Sequence, residues 1–425
     1  MKVRLSTFFR LTALVASVAF LAKAQAAYDV KKRAITLDDR FETEEMLRPF
    51  GHDFLLDLTV GINKNVLDVV NDGKDVSKTQ GSDSEKLDAG QAFLRKYRDT
   101  EQTIRVGLNL GVPLPSFTAF DVKLKPNFRV SANLMANIGV RAQDITAQNV
   151  LDYVGQDVPQ ELKNLIIQKF GTMNPNDDIV AKAIQGESAE VQSQGQPYLN
   201  KFFYPSDTSV PNLLTYAKVD AKAGFFVGYE YDEHFFGGFN LYGMGRADTE
   251  LIVTADALAK GGDTIEFGEE MNTTIVAAAD YQFGYKNGNL TGFGSIEELK
   301  LATLSDNKDK GGELNYEVKP LLRVHGEYRY DFMAFTVRPF VGVYNRFGYS
   351  QGAQPYGGAD LGTYVWDDRI GVQLRTMVDE EHLTLAPRIK LWLMQLEYSL
   401  KQPIKSKIDD TAISTLHSLN FRLFF

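Results

Sequence analysis

Residues 413–425 read ISTLHSLNFRLFF, and this stretch decides the fold. Its odd positions are mostly apolar, as at Leu419 and Leu423, whereas its even positions are mostly polar, as at Asn420 and Arg422. Successive side chains of a β-strand point to opposite faces of the sheet. The stretch therefore predicts a strand with one apolar face and one polar face.

The same alternation recurs upstream over longer stretches. In residues 120–140 every charged side chain falls on the odd face, and the even face carries none. Residues 314–330 repeat the pattern, with Leu321 as the one apolar residue on the charged face. Such strands need water on one side and an apolar medium on the other, because Lys or Arg at the midplane of a barrel's lipid face costs roughly 2–4 kcal/mol. The chain is therefore predicted to be all-β, a transmembrane antiparallel up-and-down β-barrel.

The end of the chain also resembles a known signal. Phe425 is preceded by apolar residues at every second position, which resembles the C-terminal assembly signal of bacterial outer-membrane barrels over about the last ten residues. The resemblance implies a porin-type or channel-type barrel in the outer membrane of a Gram-negative bacterium, and it singles out no specific family. It also implies three partners: outer-membrane lipid, lipopolysaccharide, and the barrel-assembly machinery, which would bind the C-terminal strand.

About twelve strands are predicted from the alternation and the turn residues. They lie at 53–62, 102–112, 120–140, 213–231, 234–250, 272–286, 289–304, 313–330, 334–348, 363–377, 382–400 and 412–425. The strand at 289–304 requires a bulge, because Glu298 shares a parity with the apolar Leu290. The strand at 382–400 changes its apolar face after Leu393.

Short and long connections alternate, as barrel topology requires. Short turns are predicted at 113–119, 232–233, 287–288, 331–333 and 379–381. Long loops are predicted at 63–101, 141–212, 251–271, 305–312, 349–362 and 401–411. With the last strand ending in the periplasm, the short turns are predicted to be periplasmic and the long loops extracellular.

The N-terminus has the features of a secretory signal peptide. Basic residues precede an apolar run at 11–22, and Ala24-Gln25-Ala26 forms a small-x-small site, so cleavage after Ala26 is predicted. Residues 27–50 are predicted to be a periplasmic N-terminal segment, either a tail or a short plug entering the lumen, before the barrel at 51–425. Residues 1–26 carry four basic and no acidic residues, so their removal brings the net charge from −9 to −13. That charge argues against nucleic acid as a partner.

Two loops are long enough to hold structure of their own. Apolar residues at helical spacing predict helices within 141–212, the third of them capped by the acidic residues before Ile179. This helical extracellular insertion could enter the barrel mouth as a constriction, or cover the rim as a lid or a passive cap. The loop at 63–101 is rich in Asp, Lys and Ser and is predicted to be solvated and mobile.

The polar faces of the strands hold more basic than acidic residues. Fifteen basic residues of inward parity are candidate pore-lining residues: Arg105, Lys123, Lys125, Arg129, Lys218, Lys222, Lys319, Arg323, Arg329, Arg338, Arg346, Arg369, Arg375, Arg388 and Lys390. About twelve strands would leave a narrow pore, between the filled eight-stranded and the open sixteen-stranded barrels. The pattern predicts an outer-membrane channel for small solutes with a weak preference for anions or acidic solutes. A non-conducting structural or surface-interaction barrel, an adhesin or receptor, is the alternative.

No pattern in the sequence predicts an enzyme. Outer-membrane deacylases use a His-x-Ser spacing, whereas His417 is followed directly by Ser418. The sequence shows no metal-ligand spacing, phosphate loop or nucleotide fingerprint, and it has no Cys. Neither catalytic residues nor a cofactor or metal is predicted.

Overall fold

The structure of the protein is a computed structural model. It describes residues 29–47, 54–80, 83–142, 151, 158–174, 177–200, 204, 211–253, 271–306, 317–348, 352–365, 369–408 and 410–424. The predicted signal peptide at 1–26 and its cleavage site lie outside the described residues.

Fourteen antiparallel strands form one closed sheet. They are β1 (Phe54–Asn63), β2 (Thr100–Pro113), β3 (Val122–Ala142), β4 (Pro211–Tyr231), β5 (Phe235–Val253), β6 (Asn272–Asn287), β7 (Leu290–Asp306), β8 (Leu321–Tyr328, continued by Tyr330–Phe332), β9 (Phe335–Arg346), β10 (Gln354–Val365), β11 (Ile370–Asp379), β12 (His382–Leu391), β13 (Met394–Pro403) and β14 (Leu416–Phe424). Each strand pairs with its neighbours in sequence. Antiparallel pairing of β1 with β14, from Phe54 beside Phe424 to Asn63 beside Leu416, closes the barrel.

The connections differ in length at the two ends of the barrel. One end, called the turn end here, carries the tight connections 232–234, 288–289, 333–334 and 392–393. The opposite end, called the loop end, carries the long connections, including 143–210 and 254–271. The alternation predicted from the sequence is confirmed for the first nine strands.

The predicted count of twelve strands falls two short. Residues 382–400, predicted as one strand, belong to two, β12 and β13. The chain reverses at Trp392-Leu393, where Trp392 has a φ of +55°. The change of apolar face after Leu393 is the sign of this hairpin in the sequence. The turn itself is hard to recognise because it contains none of the usual Gly, Asn or Asp.

The other missed strand is β10, which occupies part of the predicted loop 349–362. Its Gly357-Gly358 pair resembles a turn in the sequence, but a Cβ on Gly358 would collide with the carbonyl oxygen of Thr376 on β11 and stand 2.9 Å from the ring of Phe340. Glycine is therefore required inside the strand because the backbone of the next strand and an inward aromatic ring both approach it closely. The extra strand also places the turn 380–381 at the loop end, which corrects the prediction that it lies at the same end as the other short turns.

The bulge predicted in the seventh strand is confirmed. The pairing of β6 with β7 shifts register between Ala279 and Tyr281, and Glu298 has a φ of +56°. The bulge turns the carboxylate of Glu298 into the lumen, where the side chain is buried and contacts Arg346 at 2.7 Å. It therefore removes a charge from the apolar face.

The outer face of the described strands is covered by exposed apolar side chains. Aromatic residues of this face gather near the turn end: Phe225, Tyr231, Phe235, Tyr281, Phe283, Tyr285, Tyr330 and Phe335. Soluble proteins rarely expose contiguous apolar patches beyond a few hundred Å². An apolar belt bordered by aromatic residues is the exterior of a barrel that faces lipid.

The described residues include six α-helices outside the sheet. They are α1 (Val30–Met46), α2 (Val66–Ser77), α3 (Asp83–Lys96), α4 (Gln160–Lys169), α5 (Ile179–Ile184) and α6 (Ala189–Gly195). Much of the loop predicted to be solvated and mobile at 63–101 thus forms two helices, and α4 to α6 pack around a core of their own that includes Leu162 and Ile166. Asp178 caps α5 through the N–H groups of Val180 and Ala181, as predicted. None of the described helices has both the length and the apolarity that crossing a membrane requires.

Candidate functional site

Helix α1 lies inside the barrel. Eleven of its seventeen residues are buried, and their contacts are made to inward-facing side chains of the strands. Asp29 caps the helix by accepting a hydrogen bond from the N–H of Lys32 at 2.9 Å. The described residues 29–47 thus lie against the inner side of the barrel wall.

The first turn of α1 sits near the loop end. Asn137, close to the loop end of β3, donates a hydrogen bond to the carbonyl oxygen of Val30 at 3.4 Å. Lys31 lies 3.7 Å from Glu250, close to the loop end of β5. The strand residues that contact the helix all lie in the loop-end half of their strands, so α1 fills that half of the lumen.

One side of α1 packs against the wall through apolar contacts. Val30, Ala34, Ile35 and Leu37 form a buried cluster with wall residues of β3, β4 and β14. The wall side of the cluster consists of Met135, Leu214, Tyr216 and Leu416. Burying a large aliphatic side chain stabilises the packed state by roughly 1.5–3 kcal/mol. The cluster therefore holds the helix against the wall.

Phe41 makes a second, aromatic contact. A Cβ built on Gly61 of β1 would stand 2.9 Å from the tip of the Phe41 ring. The guanidinium of Arg105 and the ammonium of Lys401 lie 5.3 and 4.8 Å from the centre of the same ring. Phe41 therefore occupies a notch that a wall glycine leaves open between two cations.

Acidic residues of α1 pair with basic residues of the wall. Asp38 contacts Arg105 at 2.8 Å and Lys218 at 2.5 Å. Asp39 receives two N–H groups of Arg346, the shortest at 2.6 Å. The remaining pairs join Glu42 to Arg323, Glu44 to Lys401 and Glu45 to Arg105. These contacts connect one helix to five different strands of the wall.

Basic residues of α1 pair with acidic residues of the wall in turn. Arg33 lies 2.8 Å from Glu101 and 2.6 Å from Glu381. Arg40 lies 3.0 Å from Asp379 and 2.9 Å from Glu381. The turn between β11 and β12 thus binds the helix through ion pairs with two arginines of α1. Although burial raises it, the pKa of Glu381 is held well below its ordinary value by Arg33 and Arg40.

Arg375 holds the other end of the helix. Its guanidinium donates to the carbonyl oxygens of Glu44 and Leu47, at 3.3 and 2.6 Å. The last carbonyls of a helix lack partners within the helix and carry a partial negative charge, so a cation is stabilising there. Arg375 is itself fixed by Asp360 at 2.8 Å.

The charges of α1 respond differently to the same surroundings. Burial alone would raise the pKa of Asp38, but Lys218 and Arg105 hold that pKa far below its ordinary value. Burial and the neighbouring Asp38 carboxylate raise the pKa of Glu42 to about 7, and Lys222 counteracts this only in part. Glu42 therefore changes charge in the neutral pH range while Asp38 stays ionised.

The candidate pore-lining residues fall into three sets. Five contact α1: Arg105, Lys218, Arg323, Arg346 and Arg375. Four face the lumen elsewhere: Arg129 and Lys222 line a cavity, and Arg338 and Arg388 pair with Asp360 and Glu397. The other six lie toward the ends of the barrel: Lys123, Lys125, Arg329, Arg369 and Lys390 toward the turn end and Lys319 at the loop end. The structure therefore assembles only the first set around α1.

Several residues of the site escape prediction from the sequence. Glu101, Glu381 and Lys401 fall in predicted connections, yet all three contact α1. The sequence gives little sign of this role, because a charged residue beside the end of a strand looks like an ordinary exposed loop residue. Within the described residues, no group of three His, Cys, Asp or Glu side chains is placed to hold a metal ion.

Comparisons with known proteins place the chain in no family. No protein-family model matches the chain, and no curated protein matches it. Among solved structures, CdiB from Acinetobacter baumannii is 8% identical with a TM-score of 0.34, over 88% of this chain and 60% of that chain. The transport unit of the autotransporter AIDA-I from Escherichia coli is 7% identical with a TM-score of 0.35, over 94% and 99%. A Pseudomonas aeruginosa FadL homologue is 10% identical with a TM-score of 0.31, over 78% and 70%.

These likenesses are distant, and at such TM-scores they carry no argument about function. The chain spans 60% of the length of CdiB. The closed antiparallel sheet and its apolar exterior are what define the molecule as a bacterial outer-membrane β-barrel.

Proposed function

We propose that this outer-membrane barrel is a transport channel that α1 holds closed, and that it conducts small solutes when α1 leaves the lumen. The observation that supports the proposal is the burial of a charged helix inside the barrel. Charged side chains of this helix form ion pairs with charged side chains of the wall. Fourteen strands exceed the eight whose interior side chains fill by themselves. The helix therefore occupies space that would otherwise hold water.

The charged character of the contact between α1 and the wall favours a helix that can leave the lumen over one that fills it permanently. Wall side chains such as Arg346 and Lys218 would be solvated once α1 left, so the wall would suit an aqueous pore. Replacing buried ion pairs by well-packed apolar residues is often neutral or stabilising. A permanent core would not need charges at so many positions.

The same pairs support a preference for anions in the open state. Five acidic residues of α1 neutralise the wall in the closed state: Asp38, Asp39, Glu42, Glu44 and Glu45. Their departure would leave Arg105, Lys218, Arg323, Arg346 and Lys401 without these partners. A lumen of that sign would attract small anions and acidic solutes.

We also propose that the loop end faces the cell exterior and the turn end the periplasm. Outer-membrane barrels carry their short turns on the periplasmic side and their longer loops outside. In that orientation α1 fills the outer half of the lumen, and β14 presents its end to the assembly machinery from the periplasm.

The experiment compares two deletions of equal length in planar lipid bilayers. Removing residues 30–46 should convert rare, brief openings into a large, steady conductance, and a potassium chloride gradient should give a reversal potential on the chloride side. Removing residues 179–195 from the helical insertion is the matched control and should leave the barrel mostly closed. Each protein is first shown to be folded by its heat-dependent migration in an electrophoresis gel.

The outcomes separate the possible functions. A folded barrel that stays silent without residues 30–46 would contradict the channel and favour the non-conducting, surface-interaction barrel. A large conductance after the control deletion alone would make the helical insertion the closure. Hydrolysis of phospholipid or lipid A by the pure protein would replace transport with an enzymatic function.

A further inference from the structure

A cavity of about 170 Å³ lies in the turn-end half of the lumen. Inward side chains of five neighbouring strands, β2 to β6, line it: Asn109, Arg129, Ser131, Lys222, Tyr242 and Asp280. A water molecule takes up about 30 Å³ of liquid, so the cavity has room for more than a single water. The wall contacts of α1 lie in the opposite half of the barrel, so the cavity lies between the helix and the turn end.

Two cations belong to the lining of this cavity. The guanidinium of Arg129 lies over the ring of Phe226, 4.0 Å from its centre, which fixes the plane of the charge. The ammonium of Lys222 lies 2.7 Å from Glu298, and an ammonium has three donors, so further donors remain. Both side chains are half-buried, and they therefore remain accessible from the lumen.

The acid in the lining is held by the wall itself. Asp280 accepts hydrogen bonds from the Asn240 amide at 2.9 Å, the Tyr242 hydroxyl at 2.8 Å and the N–H of Glu298 at 2.8 Å. Three donors from the wall disperse the negative charge of this carboxylate. These neutral donors leave the charge of Asp280 in place, so the lining sets two cations, Arg129 and Lys222, against one carboxylate.

We propose that this cavity is a binding site for a small organic carboxylate, held by Arg129 and Lys222 on the way through the barrel. The inference rests on the proposed transport function and names its substrate class. Guanidinium and ammonium groups are the usual donors to carboxylates, and the guanidinium offers two parallel N–H groups. The ring of Tyr242, which belongs to the lining, gives the short carbon chain of such a solute an apolar surface.

The site is also linked to the helix by a chain of ion pairs. Lys222 contacts Glu298, Glu298 contacts Arg346 at 2.7 Å, and Arg346 contacts Asp39 of α1 at 2.6 Å. A carboxylate on Lys222 competes with Glu298 for the ammonium. Binding at the cavity therefore acts on Glu298, which in turn contacts Arg346, a residue that holds the helix.

The test uses propionate and propionamide, which have nearly the same size and differ in charge. Saturation-transfer NMR on the full chain in detergent should show propionate binding with a millimolar dissociation constant, and no comparable signal from propionamide. Arg129→Gln should weaken propionate binding at least about fivefold, and Ser131→Leu should weaken it by filling the cavity. Arg338→Gln removes a lumen arginine of β9, outside the lining, and should leave binding unchanged.

The results that would overturn the proposal are distinct from failure of the channel. Equal signals from propionate and propionamide, or unchanged binding in folded Arg129→Gln and Ser131→Leu proteins, would exclude a carboxylate site here. A barrel that conducts chloride after loss of residues 30–46 but binds no propionate contradicts this inference alone. A barrel that binds propionate but never conducts contradicts the transport function alone.

Discussion

Phe41 of α1 rests on a strand position that only glycine suits. The ring tip would lie 2.9 Å from any Cβ at Gly61, while Arg105 and Lys401 flank the same ring. A larger side chain at Gly61 must therefore displace the buried Phe41 ring, or distort a strand paired on both sides. The packing of α1 against β1 thus depends on the absence of a side chain at Gly61.

We expect Gly61→Val to destabilise the seated helix and raise the frequency of channel openings by at least about tenfold, since overpacking a closed contact typically costs 1–3 kcal/mol. Single-channel recording measures the change. Gly243→Val is the control, because a Cβ there meets no heavy atom within 4 Å. Equal opening frequencies in two folded variants would show that Phe41 does not hold the closed state.

Glu42 makes closure sensitive to pH. The charged groups that face it come from α1, β4, β7, β8 and β9: Asp38, Lys222, Glu298, Arg323 and Arg346. Burial raises the pKa of Glu42 to about 7 in the seated helix, from an ordinary value of 4.5. The seated state therefore binds the proton more tightly than a released helix does. This contribution to closure is complete below about pH 4.5 and is lost as the pH rises through about 7.

We therefore expect openings to become several-fold more frequent between about pH 5.5 and pH 8.5. Glu42→Gln carries no titrating carboxyl and should show little change over this range. Glu190→Gln, an exposed change in the helical insertion, should keep the wild-type response. Openings that decline as the pH rises, or an unchanged response in Glu42→Gln, would assign the pH dependence to another group.

At the scale of elements, α1 shows where sequence reasoning ends. Residues 27–50 mix basic and acidic side chains without a clean apolar face, so their sequence suits a solvated tail as well as a plug. The helix is buried because its charges meet opposite charges on the wall, as Arg33 meets Glu101 and Glu381. Those partners are distant in sequence, and no local pattern records them.

The strands were more accessible to prediction because the lipid imposes period two on each of them. The two failures, β10 and the β12–β13 hairpin, occur where local signals mislead. Gly357-Gly358 resembles a turn although it lies within a strand, whereas Trp392-Leu393 forms a turn without turn residues. In both cases tertiary contacts override the local preference.

Cysteine chemistry can report the position of α1, since the chain contains no Cys. We expect a thiol at Ala34, which has 0% exposure, to react with a charged methanethiosulfonate reagent at least about tenfold more slowly than a thiol at Lys32. Lys32 lies on the same helix, with 48% of its side chain exposed. In the Gly61→Val background the Ala34→Cys rate should approach that of Lys32→Cys. Similar rates at both positions in the otherwise unchanged chain would mean that α1 is not seated.

For the whole molecule, the barrel and its polarity follow from patterning, whereas the state of its lumen does not. Counting parity from the last strand assigns most wall charges to the inside. It cannot show that Asp39 and Glu44 neutralise two of them, because that depends on where the N-terminal segment lies. An expectation of a basic lumen thus becomes a lumen that holds a helix of mixed charge, whose five carboxylates pair with basic residues of the wall.

The most direct test locks and frees α1 in one protein. Ala34 and Met135 belong to the same buried cluster, so cysteines at both positions can be joined by a short, reducible thiol cross-linker. In the Gly61→Val background, planar bilayers should show no openings while the bridge is intact and frequent, chloride-favouring openings after reduction. The same conductance before and after reduction, with the bridge verified by mass spectrometry, would contradict closure of the barrel by α1.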